Sequence, residues 1–115
     1  MTKYVVLWTN HKRATIVSIT EGVEEVLHVE SNGKGGVEEK WRQHRGRHYR
    51  KVIRLIQDAK EIFIFGPAQA KMELKIEILK SEPLSHRVVG TETADTMTEN
   101  ELVPLARVIC RSRIV

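Results

Sequence analysis

The chain has 115 residues, 41% of them hydrophobic and 30% charged, which fits one globular domain spanning 1–115 around a single core. No apolar run approaches the ~20 residues that cross a bilayer, MTKYVVLWTN at the start lacks the pattern of a secretory leader, and a lone cysteine, Cys110, excludes an internal disulfide. The formal charge of +4 is unevenly spread: Lys34 to Lys51 hold seven Lys/Arg against two Glu, so the remainder is slightly acidic. A cytoplasmic protein without membrane contact is expected.

Three β-rich runs come first. Tyr4 to Thr9 and Ala14 to Thr20 flank the polar turn NHKR, and Val23 to Glu30 follows a second tight turn at Glu21-Gly22. They predict an antiparallel meander, ended by the loop SNGKGG. A helix follows from about Glu39 to Ala59, with Trp41, Tyr49, Val52, Ile53 and Ile56 at core-facing spacing. Arg47, Arg50 and Arg54 fall on another face, with Lys51 beside them. Gly46 interrupts the pattern and predicts separate or kinked first turns.

Ile62 to Phe65 is wholly apolar, as a strand buried on both faces should be. Gly66-Pro67 ends it and opens a helix, Ala68 to Lys80, with Ala70, Leu74 and Ile78 on one stripe. Arg87 to Thr91 reads as the last strand. Thr98-x-x-Glu101 has capping-box spacing and opens a final helix through about Arg111, in which Pro104 should kink the helix or delay its start. Cys110, among Leu105, Val108 and Ile109, reads as a small buried residue. The order βββαβαβα predicts an α/β fold: a five-stranded mixed sheet with helices on both faces, in the order of a ribonuclease H-like domain.

The segment Gly33 to Lys51 concentrates the chemistry. Glycines let a backbone approach a ligand where a side chain would clash, and local positive charge attracts phosphate by releasing condensed counterions. Lys34, Gly35, Gly36, Arg42, Arg45, Arg47, Arg50, Lys51 and Arg54 are the candidate RNA-binding residues. The plain alternatives are a connecting loop and a solvated helix face. Too few acids lie nearby to balance the arginines, which solubility alone does not require. His44 and His48 stand four apart, but no carboxylate completes a metal set, so surface or RNA-contacting histidines are expected. Trp8 and Trp41 read as core anchors rather than base-stacking platforms.

Strand, glycine-rich loop and basic helix, with Gly33 to Gly36 followed by HYRKV at His48 to Val52, resemble the middle domain of archaeal and eukaryotic class-1 peptide-chain release factors. FGPAQAK (Phe65 to Lys71) and VGTETADTMTENEL (Val89 to Leu102) resemble small bacterial, release-factor-like proteins of the translational machinery. The resemblance implies a ribonuclease H-like fold and a loop that reaches the ribosomal peptidyl-transferase centre. In the family a glutamine follows the two glycines and helps position water. Here Val37 stands in its place and offers no hydrogen bond. The decoding and partner-binding domains of a full release factor are not expected in a chain of this length.

These readings converge on a non-catalytic protein that binds the ribosome or structured RNA, with a rescue, protection or dormancy role. No catalytic residue, cofactor, metal or small-molecule substrate is expected. A nuclease of this fold needs carboxylates gathered on the sheet to hold two metal ions, and the first strand offers Trp8, Thr9 and Asn10 instead. The alternative is a protein-interaction module whose basic face meets an acidic partner without RNA. A homodimer through an edge strand of the meander is open.

Overall fold

The computed structural model describes residues 2–30, 38–80, 84 and 86–114, with side chains throughout except at 38–45, 113 and 114. Strands β1 (Lys3–Thr9), β2 (Arg13–Thr20) and β3 (Val23–Glu30) precede helix α1 (Glu38–Ile56). Strand β4 (Glu61–Gly66), helix α2 (Ala68–Leu79), strand β5 (Val88–Thr93) and helix α3 (Glu99–Ile114) complete the expected βββαβαβα order. The SNGKGG loop, Trp41 and His44 lie outside the described residues or side chains.

The five strands form one mixed sheet in the order β3-β2-β1-β4-β5. β1 pairs antiparallel with β2 and β2 with β3, whereas β1–β4 and β4–β5 are parallel. The turn from β2 to β3 is made by Glu21 and Gly22 at φ 51° and 81°, the left-handed pair that suits the twist of a tight hairpin. Asn10 builds the other turn: its side-chain oxygen accepts from the backbone N–H groups of Lys12 and Arg13 at 2.9 and 2.8 Å.

β1 lies in the middle of the sheet, and its apolar residues alternate between two cores. Val5 and Leu7 join Ile16, Ile62, Ile64, Tyr49, Val52, Ile56, Leu74 and Ile78 on the side covered by α1 and α2. Val6 and Trp8 join Val17, Ile19, Phe65, Leu102, Ala106 and Cys110 beneath α3. Helices therefore cover both faces, and the runs YVVLW and IFIF are apolar throughout because each strand feeds both cores. The α2 stripe is Ala70, Leu74 and Ile78, as its spacing requires.

Gly66 is required by contact rather than by dihedral: a Cβ there would collide with the Thr9 carbonyl oxygen. Its own carbonyl accepts from the Ala94 N–H at 2.9 Å. Gly90 similarly makes room for the Phe63 ring.

The Thr98 capping box forms as predicted. The Glu101 N–H donates to Thr98 Oγ1 at 3.3 Å, and the Thr98 N–H donates to Glu101 Oε1 at 3.2 Å. α3 runs on through Pro104, which removes one donor from its ladder without delaying its start. Continuity also holds in α1, where Gly46 makes no break. α1 ends at Ile56, short of Ala59, because the chain must turn there to enter β4: the Ala59 N–H returns to the Ile56 carbonyl, and the Lys60 N–H donates to the Lys3 carbonyl. β5 runs to Thr93, two residues beyond the expected end at Thr91, so Glu92 and Thr93 are strand residues.

Candidate nucleic-acid interface

α1 has a buried and an exposed side, and the sequence divides sharply between them. His48, Tyr49, Val52, Ile53 and Ile56 face the sheet; Arg47, Arg50, Lys51 and Arg54 are exposed. The four cations occupy positions separated by one, three or four residues, so they share one outward face about two turns long. Among the described residues, no carboxylate forms an ion pair with any of them. Gly46 contributes to this surface: a Cβ at Gly46 would lie 3.0 Å from a guanidinium nitrogen of Arg50, so the arginine rests against bare helix backbone. Arg42 and Arg45 belong to α1, but their side chains lie outside the described set, as do Lys34, Gly35, Gly36 and Val37 entirely.

His48 is not a surface residue, contrary to the expectation from its pairing with His44. It is 1% exposed, and its Nε2 lies 3.1 Å from Oγ1 of the fully buried Thr9. The Thr9 hydroxyl in turn lies 2.9 Å from the Asn10 carbonyl and 3.3 Å from that of Arg13. This set is satisfied when the hydroxyl donates to the Asn10 carbonyl and a neutral His48 donates through Nε2–H. Burial holds the imidazole below its ordinary range, opposed by the nearby Asn10 and Arg13 backbone and aided by the charges of His11 and Lys51. Nδ1 has no hydrogen-bond partner among the described residues. The signal was present in the sequence: His48 stands four residues before Val52 and eight before Ile56, on the apolar stripe.

Thr9, at the end of β1, is thus a buried hydroxyl tied to its own turn. Trp8 is a core anchor, with its indole N–H donating to the Ala94 carbonyl at 2.9 Å. Among the described residues no group of three His, Cys, Asp or Glu side chains is placed to hold a metal ion. Cys110 is buried, and its thiol is pushed above the usual range by burial first and by Glu61 and Glu24 second. Both conditions make it a poor nucleophile.

No protein-family model matches the chain, and no curated protein matches it. Solved structures do. The chain is similar to Archaeoglobus fulgidus Pelota, with 11% identity and a TM-score of 0.64, over 97% of this chain and 34% of that one. It is similar to an archaeal translation termination factor at 18% identity and a TM-score of 0.59, over 91% of this chain and 34% of that one. A third likeness is to S. cerevisiae Dom34, a translation termination-like factor, at 12% identity and a TM-score of 0.57, over 89% and 31%. The fold is release-factor-like. The chain spans about a third of each of these proteins, and at such identities the likeness concerns the fold alone. Among the described residues no helix is long and apolar enough to cross a membrane.

Proposed function

We propose that the protein is a non-hydrolytic factor of the translation machinery that binds the ribosome or structured RNA through α1 and the glycine-rich loop before it. The observation that carries this reading is the outward row Arg47, Arg50, Lys51 and Arg54, exposed on a rigid helix with no carboxylate paired to it among the described residues. Cations held this way exchange water and counterions for phosphate oxygens at little conformational cost. Arg42 and Arg45 extend the segment toward Lys34, Gly35 and Gly36, where an unobstructed backbone can present N–H groups to phosphate. The release-factor-like fold supports a role in translation.

The absence of hydrolysis follows from residue chemistry. Val37 stands where the resembled family has its water-positioning glutamine, and Glu38 and Glu39 beside it would be repelled by RNA. An occupant of this kind acts as a rescue adaptor, a protective plug or a dormancy factor.

Co-sedimentation with ribosomes at low and moderate salt tests the reading. Binding should weaken as salt rises, and Arg47→Glu with Arg50→Glu should weaken it further and reduce the log–log salt slope by about two. Folded protein that associates at neither salt ends the proposal. A complex that survives full nuclease digestion points instead to an acidic protein partner.

A further inference from the structure

The outer edge of β3 and a groove beside it coincide, and together they describe a second binding mode, which shares Lys51 and Arg54 with the basic row of α1 but does not rest on the RNA-binding reading. Among the described residues β3 is an outer strand of the sheet and pairs with β2 alone, over eight residues in unbroken register from Arg13↔Glu30 to Thr20↔Val23. Its outward row of backbone N–H and C=O groups is a template for another strand. Edge strands are normally blunted by proline, charged side chains or a bulge; Val23–Glu30 contains no proline, its pairing shows no bulge, and of its three glutamates Glu24 is taken up by Arg107. The other outer strand, β5, is six residues long, and its pairing shifts register near its start.

Along the β3 edge runs a groove lined by His28, Val29, Glu30, Lys51, Arg54 and Leu55. A strand added to the sheet would lie ~4.8 Å outside β3, beside the α1 residues that share this groove. Alternation along β3 decides what it would meet there. Val29 packs into the core under α1, so His28 and Glu30 point to the opposite face, where His28 Nε2 lies 2.7 Å from Glu99 Oε1. The α1 side of the groove is therefore Val29 and the half-exposed Leu55 as floor, with Lys51 and Arg54 as the charged wall. Glu25 shares that face but lies further along the strand, opposite Ser18.

We infer that β3 accepts an extended peptide segment as a sixth strand, with an apolar side chain over Val29 and Leu55 and, two residues along on the same face, an acidic side chain against Lys51 and Arg54. Backbone pairing would supply affinity, and the two pockets would supply selectivity. Charge on the α1 side chooses the occupant: Lys51 and Arg54 would repel a basic segment there, whereas Glu30 points to the opposite face and Glu24 is held by Arg107.

The probes are two blocked eight-residue peptides that alternate Val or Leu with Thr and end in either two Glu or two Lys, titrated into the full chain. Hydrogen exchange of the β3 amides is read in parallel. The acidic peptide should bind, slow exchange of the β3 amides directed away from β2, and lose about tenfold in affinity on Lys51→Glu with Arg54→Glu, while the lysine peptide gains. Leu55→Ser should weaken both peptides without exchanging their order. Both parents binding equally, neither binding, or binding that leaves the β3 amides unchanged overturns the inference. So does protection of β3 without peptide in a sedimenting dimer, which assigns the edge to a second copy. Protection of the same amides by a single-stranded oligoribonucleotide, and not by peptide, likewise overturns it.

Discussion

His48 Nε2 lies 3.1 Å from Thr9 Oγ1, with both residues buried, so the helix that carries the basic row is keyed to the end of the central strand by an uncharged imidazole. Burial depresses the folded-state pKa of His48 below its ordinary 6.5. The unfolded chain therefore takes up a proton that the folded one refuses. This contribution is fully present above 6.5, is lost as pH falls through that value, and stops changing below the depressed folded value. The slope cannot exceed about 1.4 kcal/mol per pH unit for one proton. Denaturant unfolding between about pH 7.5 and 5 should show wild type losing stability more steeply than His48→Gln. Parallel pH profiles for the two proteins would remove His48 as the sensitive group. Thr9→Val, which removes the hydroxyl from this buried set, should cost about 1–3 kcal/mol at neutral pH.

Much of the architecture was legible because each element carries an unambiguous period. YVVLWT read as a meander strand, IFIF as a strand buried on both faces, Ala70, Leu74 and Ile78 as a helical stripe, and Thr98 with Glu101 as a helix start. Misreadings arose where a local pattern competed with a tertiary one. His48 was paired with His44 by spacing, although its spacing to Val52 and Ile56 placed it on the core side. Glu92 and Thr93 lay beyond the expected last strand, yet they pair with Phe65 and Gly66 of β4, a partner that no local window reveals. Sheet order hid the β3 groove: no property of VEEVLHVE says that β3 is an outer strand. The basic row was legible as charge, and that no described carboxylate pairs with it became visible only with the neighbours of α1 in place.

Gly66→Ala should be among the costliest small substitutions in the chain. The added methyl collides with the Thr9 carbonyl oxygen, a backbone atom that cannot rotate away, so β4 and β1 must separate. A loss of about 1–3 kcal/mol is expected from overpacking, with disturbance spreading to the Gly66–Ala94 hydrogen bond and the Thr9–His48 contact. Gly46→Ala provides the contrast. Its methyl meets the flexible end of Arg50, so helix propensity should win and stability should rise by up to about 1 kcal/mol. Thermal melts of the two variants side by side test the distinction; equal effects would contradict it.

Two substitutions at α3 separate its start from its interior. Thr98→Ala removes one half of the capping box and should lower stability by about 1 kcal/mol. Pro104→Ala restores a backbone N–H in the exposed interior of the same helix and should raise stability by about 1–3 kcal/mol. The sites are six residues apart, and a double mutant should show near-additive changes. If Pro104→Ala destabilises, the proline fixes a bend that the Leu102, Ala106 and Cys110 contacts require.

The final prediction joins Val37 to the absence of chemistry. Orienting water for attack on an ester needs a donor or acceptor in the side chain, and valine has neither. Release of labelled peptide from stalled ribosome complexes should therefore stay at background with wild type, even where co-sedimentation shows the sites filled. Val37→Gln supplies the amide that the resembled family uses and should exceed wild type if the loop reaches the reacting ester. Binding must be measured in the same samples, because a protein that never arrives and one that arrives without reacting give the same blank. Robust release by wild type would overturn the non-hydrolytic reading and direct attention to Glu38 or to a ribosomal group. Filled sites with no release from either protein would place the loop away from the ester and leave the basic row of α1 as the element that holds the complex.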